Sequence, residues 1–497
     1  MQSAAPLSLV RQAMRPGAGD LGRRVTHGVA WQYGLTVFRV LITVGSTAVL
    51  ARLLTPTDYG LVAMAALVTE LAALLTNTGF GAILVQRARI SRLDLDTAFW
   101  TSVGIGAVLA LMVVAVAYPA ALVFGEPALF GILCVSALNF VIQGAAVAPT
   151  AVLNRLMLFR IDAYIQAVQL IVRTVAAVIM AWAGFGYWSL VLAGLISGLT
   201  ACVIELVIVR FIPRMRFNAS FVRRNISASG SYVGTSMLSF VLANVDQFTI
   251  ARRFGAEQLG FYQAALTLPG ELRNRVAAPL QRVLFPAFAL LQSDLGRFRE
   301  VALTAQKLLA SVVLPIGTVL AISADDIVAL LYGEKWSAVV PLLQVLALGG
   351  ALRAIFGLVG NIYFAMGRPE LALRINLMAT PIVIIGVLIG SSFGPIGVAW
   401  AMLLANGLGF YSAAVAMRLI GGTFGAFLKA LVPAVTASLI AAFALITVRH
   451  VLGPNLGPAA SLVVGLPIFA IVMVSVLWRM DRALFVMLRA RLQRTPP

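Results

Sequence analysis

The sequence carries little charge. Only 11% of its 497 residues are Asp, Glu, Lys or Arg, against about a quarter in a soluble globular protein. That excludes a soluble enzyme and a disordered chain. Cysteine is scarce too: Cys134 and Cys202 are the two present, each inside an apolar run. A disulfide-built module is excluded, and both thiols read as packing residues. The two histidines, His27 and His450, have no Cys, His or carboxylate neighbours at ligand spacing, so no metal site is expected. Lysine occurs three times, as Lys307, Lys335 and Lys429, and none follows a G-x-x-x-x-G-K-[ST] phosphate loop. Such a loop cradles nucleotide phosphates; without it, ATP is not expected as the internal energy source, and no cofactor is expected. Long hydrophilic connections are missing as well, the longest being 212–227.

What is present is apolar. Ala, Val, Ile, Leu, Met, Phe, Trp, Tyr and Cys make up 61% of the chain, and the mean hydropathy is +0.98. At roughly 20 residues per crossing, plus short connections, there is room for about 14 spans. Apolar runs place them at 28–53, 60–85, 97–123, 128–151, 163–183, 187–211, 228–252, 259–290, 301–322, 341–365, 371–391, 395–418, 428–448 and 457–478. Lipid offers no partner to an open backbone, so each must be helical. The fold class expected is an all-α polytopic membrane protein. The run from Gly28 to Leu54 is too long for a signal-peptide core and reads as an uncleaved first span.

The net charge is +19, from 37 basic and 18 acidic residues. With the N-terminus inside, 29 basic residues fall on cytoplasmic segments, 5 on external ones and 3 within spans. This alternation is a positive-inside pattern and puts both termini in the cytoplasm. The charge orients the chain in a bilayer; it is no footprint for nucleic acid.

The two halves repeat. Ala51, Arg52, Gly60 and Ala65 recur 200 residues later as Ala251, Arg252, Gly260 and Ala265. At an offset of 208, Gly125-Glu126 matches Gly333-Glu334, Arg160 matches Arg368, and Phe185-Gly186 matches Phe393-Gly394. Two pseudo-symmetric six-helix bundles are expected, at 28–211 and 228–418, with two extra helices in 419–497. Parallel repeats of this kind occur in secondary transporters, with a cavity between bundles. The basic linker 212–227 suits an amphipathic helix on the cytoplasmic face, as does the tail from Arg479 to Arg494. Residues 1–27 form a cytoplasmic N-terminal segment.

Three arginines fall near span centres: Arg39, Arg173 and Arg353. Each costs about 2.5–3.5 kcal/mol to insert there, so the trio costs roughly 8–10 kcal/mol. They need a wet cavity, a counter-charge such as Glu70, or both. A cationic lumen would bind pyrophosphate or uronic acid through guanidinium forks. Span 8 holds Glu271, Arg273 and Arg275 between Pro269 and Pro279, in an apolar stretch too long for one straight crossing, so a kink or cytoplasmic extension is expected. Glu271 and Arg275 share a helix face, either as an ion pair or at the mouth where a head group enters. Glu70, Asp246 and Glu271 are the acids that can take a proton or Na⁺ as access alternates; Asp246 has Arg252 or Arg253 as an alternative partner. Asn139, Gln143, Gln166, Gln169, Asn361 and Asn406 read mostly as interhelical hydrogen-bonding groups. Trp31, Tyr33, Tyr187, Trp188 and Trp336 fit interfacial belts.

Several runs resemble the polysaccharide transporter family of the multidrug/oligosaccharidyl-lipid/polysaccharide flippase superfamily, in its Wzx-type branch. They are Ala51-Arg-Leu-Leu-Thr-Pro-Thr-Asp-Tyr-Gly-Leu, Asn244-Val-Asp-Gln-Phe-Thr-Ile-Ala-Arg-Arg-Phe-Gly with Leu259-Gly-Phe-Tyr, Arg282-Val-Leu-Phe-Pro-Ala-Phe, and Gly333-Glu-Lys-Trp. The resemblance spans about residues 25–480. It implies a flippase, not an enzyme, in the bacterial inner membrane. The implied partner is an undecaprenyl-pyrophosphate-linked oligosaccharide, for exopolysaccharide or O-antigen synthesis, with glycan polymerase and export machinery as neighbours and the chain acting as a monomer. The lipid II flippase family is similar at Arg39-Val-Leu and Ala51-Arg, but the Arg-Asp pair between them is replaced around Val44, Gly45 and Ser46. The within-class alternatives are a lipid II flippase or a multidrug/cation antiporter. The out-of-class alternatives are a polytopic glycan polymerase, glycosyltransferase or acyltransferase.

Overall fold

A computed structural model describes residues 38–39, 42–74, 80–87, 89–220, 222, 230–452 and 457–482. Among these there is no β-strand. The helices are α1 Ile42–Leu53, α2 Pro56–Ala73, α3 Phe80–Gln86, α4 Arg92–Phe124, α5 Ala128–Ser136, α6 Leu138–Arg155, α7 Phe159–Trp182 and α8 Trp188–Val209. There follow α9 Gly230–Leu272, α10 Ala278–Leu290, α11 Leu295–Ile322, α12 Ala324–Leu331, α13 Val339–Ala365, α14 Pro369–Gly390, α15 Gly394–Asn406, α16 Leu408–Leu419, α17 Phe424–Leu452 and α18 Pro458–Met480. The protein is an all-α polytopic membrane protein.

By length and composition, nine stretches among the described residues can cross a bilayer. They cover spans 3–6 and 9–14, because Pro369–Leu419 turns back at Ser391–Phe393 and serves as two crossings. Spans 1, 2, 7 and 8 are shorter, broken or more polar. Span 2 is not one helix: α2 ends at Ala73 and α3 begins at Phe80. Span 7 ends at Gly255, whose φ of 80° breaks α9 into two helical stretches. Span 8 carries the expected kink as a π-helical turn, Arg273–Ala277, a form common at functional sites.

The chain divides into two compact units, Met1–Asn244 with Gly255–Gly260, and Val245–Phe254 with Phe261–Pro497. In the first unit Thr55 caps α2: its backbone N–H donates to Asp58 Oδ2 at 2.8 Å and its hydroxyl accepts from the Asp58 N–H at 3.2 Å. Asp58 Oδ1 also accepts from the Tyr187 N–H at 2.9 Å, tying the start of α2 to the turn before α8. Arg155 closes α3 by donating to the carbonyls of Leu84, Val85 and Arg87, satisfying orphan acceptors at a helix end. The core beneath is Phe80, Leu84, Leu95, Phe99, Val152 and Phe211.

The repeat is visible as packing within this unit. A Cβ on Gly60 would stand 1.7 Å from the Ala256 carbonyl oxygen, and one on Gly260 would stand 1.8 Å from that of Pro56. Residues 56 and 256, like 60 and 260, are repeat equivalents. The crossing is therefore reciprocal, as in an isologous contact between two identical surfaces. Gly125 and Gly333, equivalent at the other offset, share the left-handed backbone with φ of 73° and 89°.

The linker differs from expectation. Residues 211–218 are not helical and bend at Met215, where the Arg216 N–H donates to the Arg214 carbonyl at 2.7 Å, while residues 219, 220 and 222 are helical. Pro213 lacks an N–H and biases Ile212 toward extended geometry. This irregular segment lies across the start of α4. Arg92 donates to the Ile212 carbonyl at 2.5 Å, Trp100 to that of Arg214 at 2.9 Å, and Asp96 and Thr97 accept from the Arg214 and Asn218 N–H groups. The described part of the tail is helical to Met480; Trp31, Tyr33, His27 and residues 483–497 lie outside the described residues.

In the second unit α17 and α18 pack on α11 through Ala441, Leu445 and Phe469 against Val319 and Ile322. Polar clamps close both ends of this layer. Lys307 pairs with Asp481 at 2.6 Å. Arg449 pairs with Asp326 at 3.2 Å, which also accepts from the Ser461 hydroxyl at 2.8 Å.

Candidate functional site

Each unit carries polar side chains on otherwise apolar helices. In the first, Arg39 donates to Gln166 Oε1. Gln166 in turn donates to Asp162 Oδ2 at 2.5 Å. The arginine of span 1 is thus tied through an amide to a carboxylate on α7. Asp162, Gln166, Gln169 and Arg173 follow one another on α7 at spacings of four, three and four residues, which is one helical stripe. Arg173 is exposed. On α8, Glu205 is buried at 9% exposure and accepts from the Thr150 hydroxyl of α6 at 2.7 Å. Asp162 is near enough to act on Glu205 electrostatically. Guanidinium and amide donors beside carboxylate acceptors suit a ligand rich in hydroxyls and anionic oxygens.

Glu70 does not join this group. It stands in the last turn of α2, not mid-span, and its side chain is exposed. Among the described contacts, Arg39 reaches a carboxylate, Asp162, through Gln166.

In the second unit Asp246 is buried at 3% exposure. Its Oδ2 accepts from the Tyr262 hydroxyl at 2.7 Å, and its Oδ1 has no hydrogen-bond partner among the described residues. Arg353 on α13, half-buried, is the cation whose charge acts on both Asp246 and Tyr262. The alternative partner Arg253 turns elsewhere and donates to the Ser391 hydroxyl at 2.5 Å. At the end of α9, Glu271 and Arg275 form the ion pair that their spacing predicts. The side chain of Arg273 lies outside the described residues.

Other polar residues hold helices together. Asn361 donates to the Gln281 carbonyl at 2.9 Å, and Asn406 to that of Gly349 at 3.2 Å. Trp336 is not an interfacial residue: it is fully buried, with Phe261 and Tyr332 rings at 5.9 and 5.5 Å. Tyr332 lies outside the spans, donates to the Ala264 carbonyl at 3.3 Å, and burial pushes its phenol up to about 12.

Sequence reasoning missed Asp162, Thr150, Glu205 and Tyr262. Glu205 carried a readable signal, since it is the sole charged residue of Trp188–Val209. Tyr262 carried none, because a tyrosine in an apolar run looks like packing.

Residues 49–341 match the family described as polysaccharide biosynthesis protein. Among curated relatives, the lipopolysaccharide biosynthesis protein WzxC of Escherichia coli K12 is 24% identical over 394 residues, covering 78% of this chain and 79% of its own. The succinoglycan biosynthesis transport protein ExoT of Rhizobium meliloti is 26% identical over 326 residues, 66% of each chain. Among solved structures, the lipid II flippase MurJ in an inward closed conformation superposes with a TM-score of 0.74, covering 92% of this chain and 100% of its own at 14% identity. At that identity MurJ speaks for the fold alone. With well over half of its length matched, this chain belongs to the polysaccharide biosynthesis protein family.

Proposed function

We propose that this chain moves an undecaprenyl-pyrophosphate-linked oligosaccharide repeat unit from the cytoplasmic to the periplasmic leaflet of the bacterial inner membrane. The observation that carries the proposal is the pair of intramembrane arginines. Arg39 and Arg353 each stand on an apolar helix among hydrogen-bonding groups. A cation at that depth is costly and is kept where a pathway uses it. A pyrophosphate-bearing substrate repays it with charge-assisted bonds. An organic-cation antiporter has no use for such charges. The names of the relatives fit the same class: one serves lipopolysaccharide and one the transport step of succinoglycan synthesis.

The reading is of transport by alternating access, with both termini cytoplasmic and no covalent step. Asp246, with one oxygen unpartnered, is the acid suited to carry the coupling proton or Na⁺.

Arg39→Ala and Arg353→Ala, expressed in a strain lacking the chromosomal copy, test the site. Each should lower exported glycan at least ten-fold, about 1.4 kcal/mol or more, with normal amounts of protein in the membrane. Single repeat units should accumulate on the cytoplasmic leaflet. Full export by both variants would sink the site assignment. Exported but unpolymerised units in the deletion strain would point to a polymerase.

A further inference from the structure

A groove of about 540 Å³ runs along the second unit between α14 and α15. Its walls include Ile382, Ile389, Phe393, Trp400 and Leu404, all of them large apolar side chains left exposed at 50% or more. Its floor is opened by Gly386, where an added Cβ would find nothing within 4 Å. Among the described residues, none fills this space.

The length of the groove is informative. From Ile382 to the turn at Phe393 is eleven residues of α14 and the turn, about 16 Å at 1.5 Å per residue. The hydrocarbon core of a bilayer is about 30 Å thick. The groove is thus as deep as one leaflet. It ends where α14 turns into α15, through Ser391–Phe393, the outer end of this hairpin in the positive-inside topology.

A cation stands at that end. Arg253 donates from Nη1 to the hydroxyl of Ser391, itself 3% exposed, at 2.5 Å. The hydroxyl passes its own proton to the Leu388 carbonyl at 2.6 Å. This chain of bonds holds the guanidinium on Ser391, which lies in sequence between the groove residues Gly390 and Phe393. Arg253 is exposed, and among the described residues no carboxylate pairs with it. A guanidinium uses only one of its five donors on Ser391, and the side chain is exposed.

An apolar slot one leaflet deep, with an unpaired arginine at its mouth, matches an amphipathic molecule with one anionic head and a chain of leaflet length. We propose that this groove is a binding site for an anionic glycerophospholipid of the outer leaflet, with one acyl chain in the slot and its head-group phosphate on Arg253. Basic residues at the bilayer surface attract anionic lipid in this way. A polyprenyl carrier shares the phosphate chemistry, but its chain far exceeds one leaflet, so the depth favours the phospholipid. The site is independent of the proposed transport function.

Trp400 provides the readout. The full chain is reconstituted in vesicles containing phosphatidylglycerol or phosphatidylcholine with brominated acyl chains. The quenching due to Trp400 is the difference between wild type and Trp400→Phe. At equal mole fraction, brominated phosphatidylglycerol should quench Trp400 at least three-fold more effectively than brominated phosphatidylcholine. Arg253→Gln should abolish that preference. Gly386→Leu, which places a side chain in open space, should lower quenching by either lipid at least two-fold. A variant that does not fold would be seen as a lost melting transition in detergent; Gly386→Val then replaces it, with the same expected loss. Equal quenching by the two lipids in wild type overturns the proposal, as does a preference that survives Arg253→Gln. Displacement of brominated phosphatidylglycerol by stoichiometric undecaprenyl phosphate would assign the groove to the carrier lipid and overturn it too.

Discussion

Gly60→Ala and Gly260→Ala test the duplicated crossing in the first unit. The added methyl on residue 60 would meet the Ala256 carbonyl oxygen at 1.7 Å, and the one on residue 260 would meet that of Pro56 at 1.8 Å. Ordinary contact needs about 1.5 Å more in each case, and both obstacles are backbone, which no rotamer change removes. The stretch 256–272 must therefore shift away from α2. Forced overpacking of this kind costs about 1–3 kcal/mol. Replacing Gly by Ala inside a helix returns up to about 1 kcal/mol in propensity. The net expectation is a loss of about 1–2 kcal/mol for each single variant. Reciprocity adds a sharper expectation. Once the helices have separated to admit one methyl, most of the room for the second exists. The double variant should therefore lose well under the sum of the singles, whereas independent sites add to within about 0.3–0.5 kcal/mol. The assay is thermal unfolding of the purified chain in detergent, with a tryptophan-fluorescence readout. Strict additivity, or no loss in either single variant, would refute the reciprocal crossing.

Further tests address separate elements. Lys307→Met leaves Asp481 buried at 8% exposure without its 2.6 Å partner, and should cost about 3 kcal/mol; Lys307→Met with Asp481→Asn should recover most of it in the same melting assay. Asp96 is fully buried and holds the linker through Arg214, so Asp96→Ala should speed trypsin cleavage at Arg214 or Arg216 several-fold without blocking insertion. Tyr332 titrates at about 12 when folded, above its ordinary 10. The neutral phenol is the form the fold prefers, so this stability is complete below pH 10 and is lost between pH 10 and 12. At 1.36 kcal/mol per unit the loss is about 2–3 kcal/mol, and Tyr332→Phe should remove that alkaline step from the melting profile. Asp246→Asn keeps the Tyr262 hydrogen bond but removes the charge; export should fall and no longer respond to collapse of the ion gradient by an ionophore.

Much of the fold was legible because a bilayer leaves few choices. Apolar length marked out spans 3–6 and 9–14, which the structure shows as helices long enough to cross. The kink in span 8 could be read from two prolines and excess length, and it appears as the π-turn Arg273–Ala277. The failures were local. The linker looked like one amphipathic helix, but Pro213 and the acceptors on α4 hold residues 211–218 in an irregular path. Trp336 looked interfacial because aromatic residues near span ends usually are; its burial depends on Phe261 and Tyr332, which only the fold brings to it. Glu70 looked mid-span because the break after Ala73 was read as continuous.

The motifs that made the family recognisable are mostly structural parts. Thr55 and Asp58 cap a helix, Gly60 and Gly260 permit a crossing, and Trp336 fills a core. The polar candidates behave differently, for they do not obey the repeat. The counterpart of Arg39 at the 200 offset is Ser239, and that of Asp246 is Ser46. At the 208 offset, Arg353 corresponds to Ala145, Gln166 to Arg374 and Arg173 to Pro381. A duplicated scaffold holds its crossings in place because both copies need them to pack. Side chains that touch a substrate are under no such constraint when the substrate has unlike ends. Glycan and pyrophosphate are unlike, and an ion-carrying acid is required once, not twice. The divergence of Arg39 and Gln166 from their repeat counterparts, and of Asp246 and Arg353 from theirs, follows from that asymmetry, whereas Asp162 keeps an acid, Glu370, at the 208 offset. The divergence separates these residues from the crossing glycines, Gly60 and Gly260, that the two halves still share.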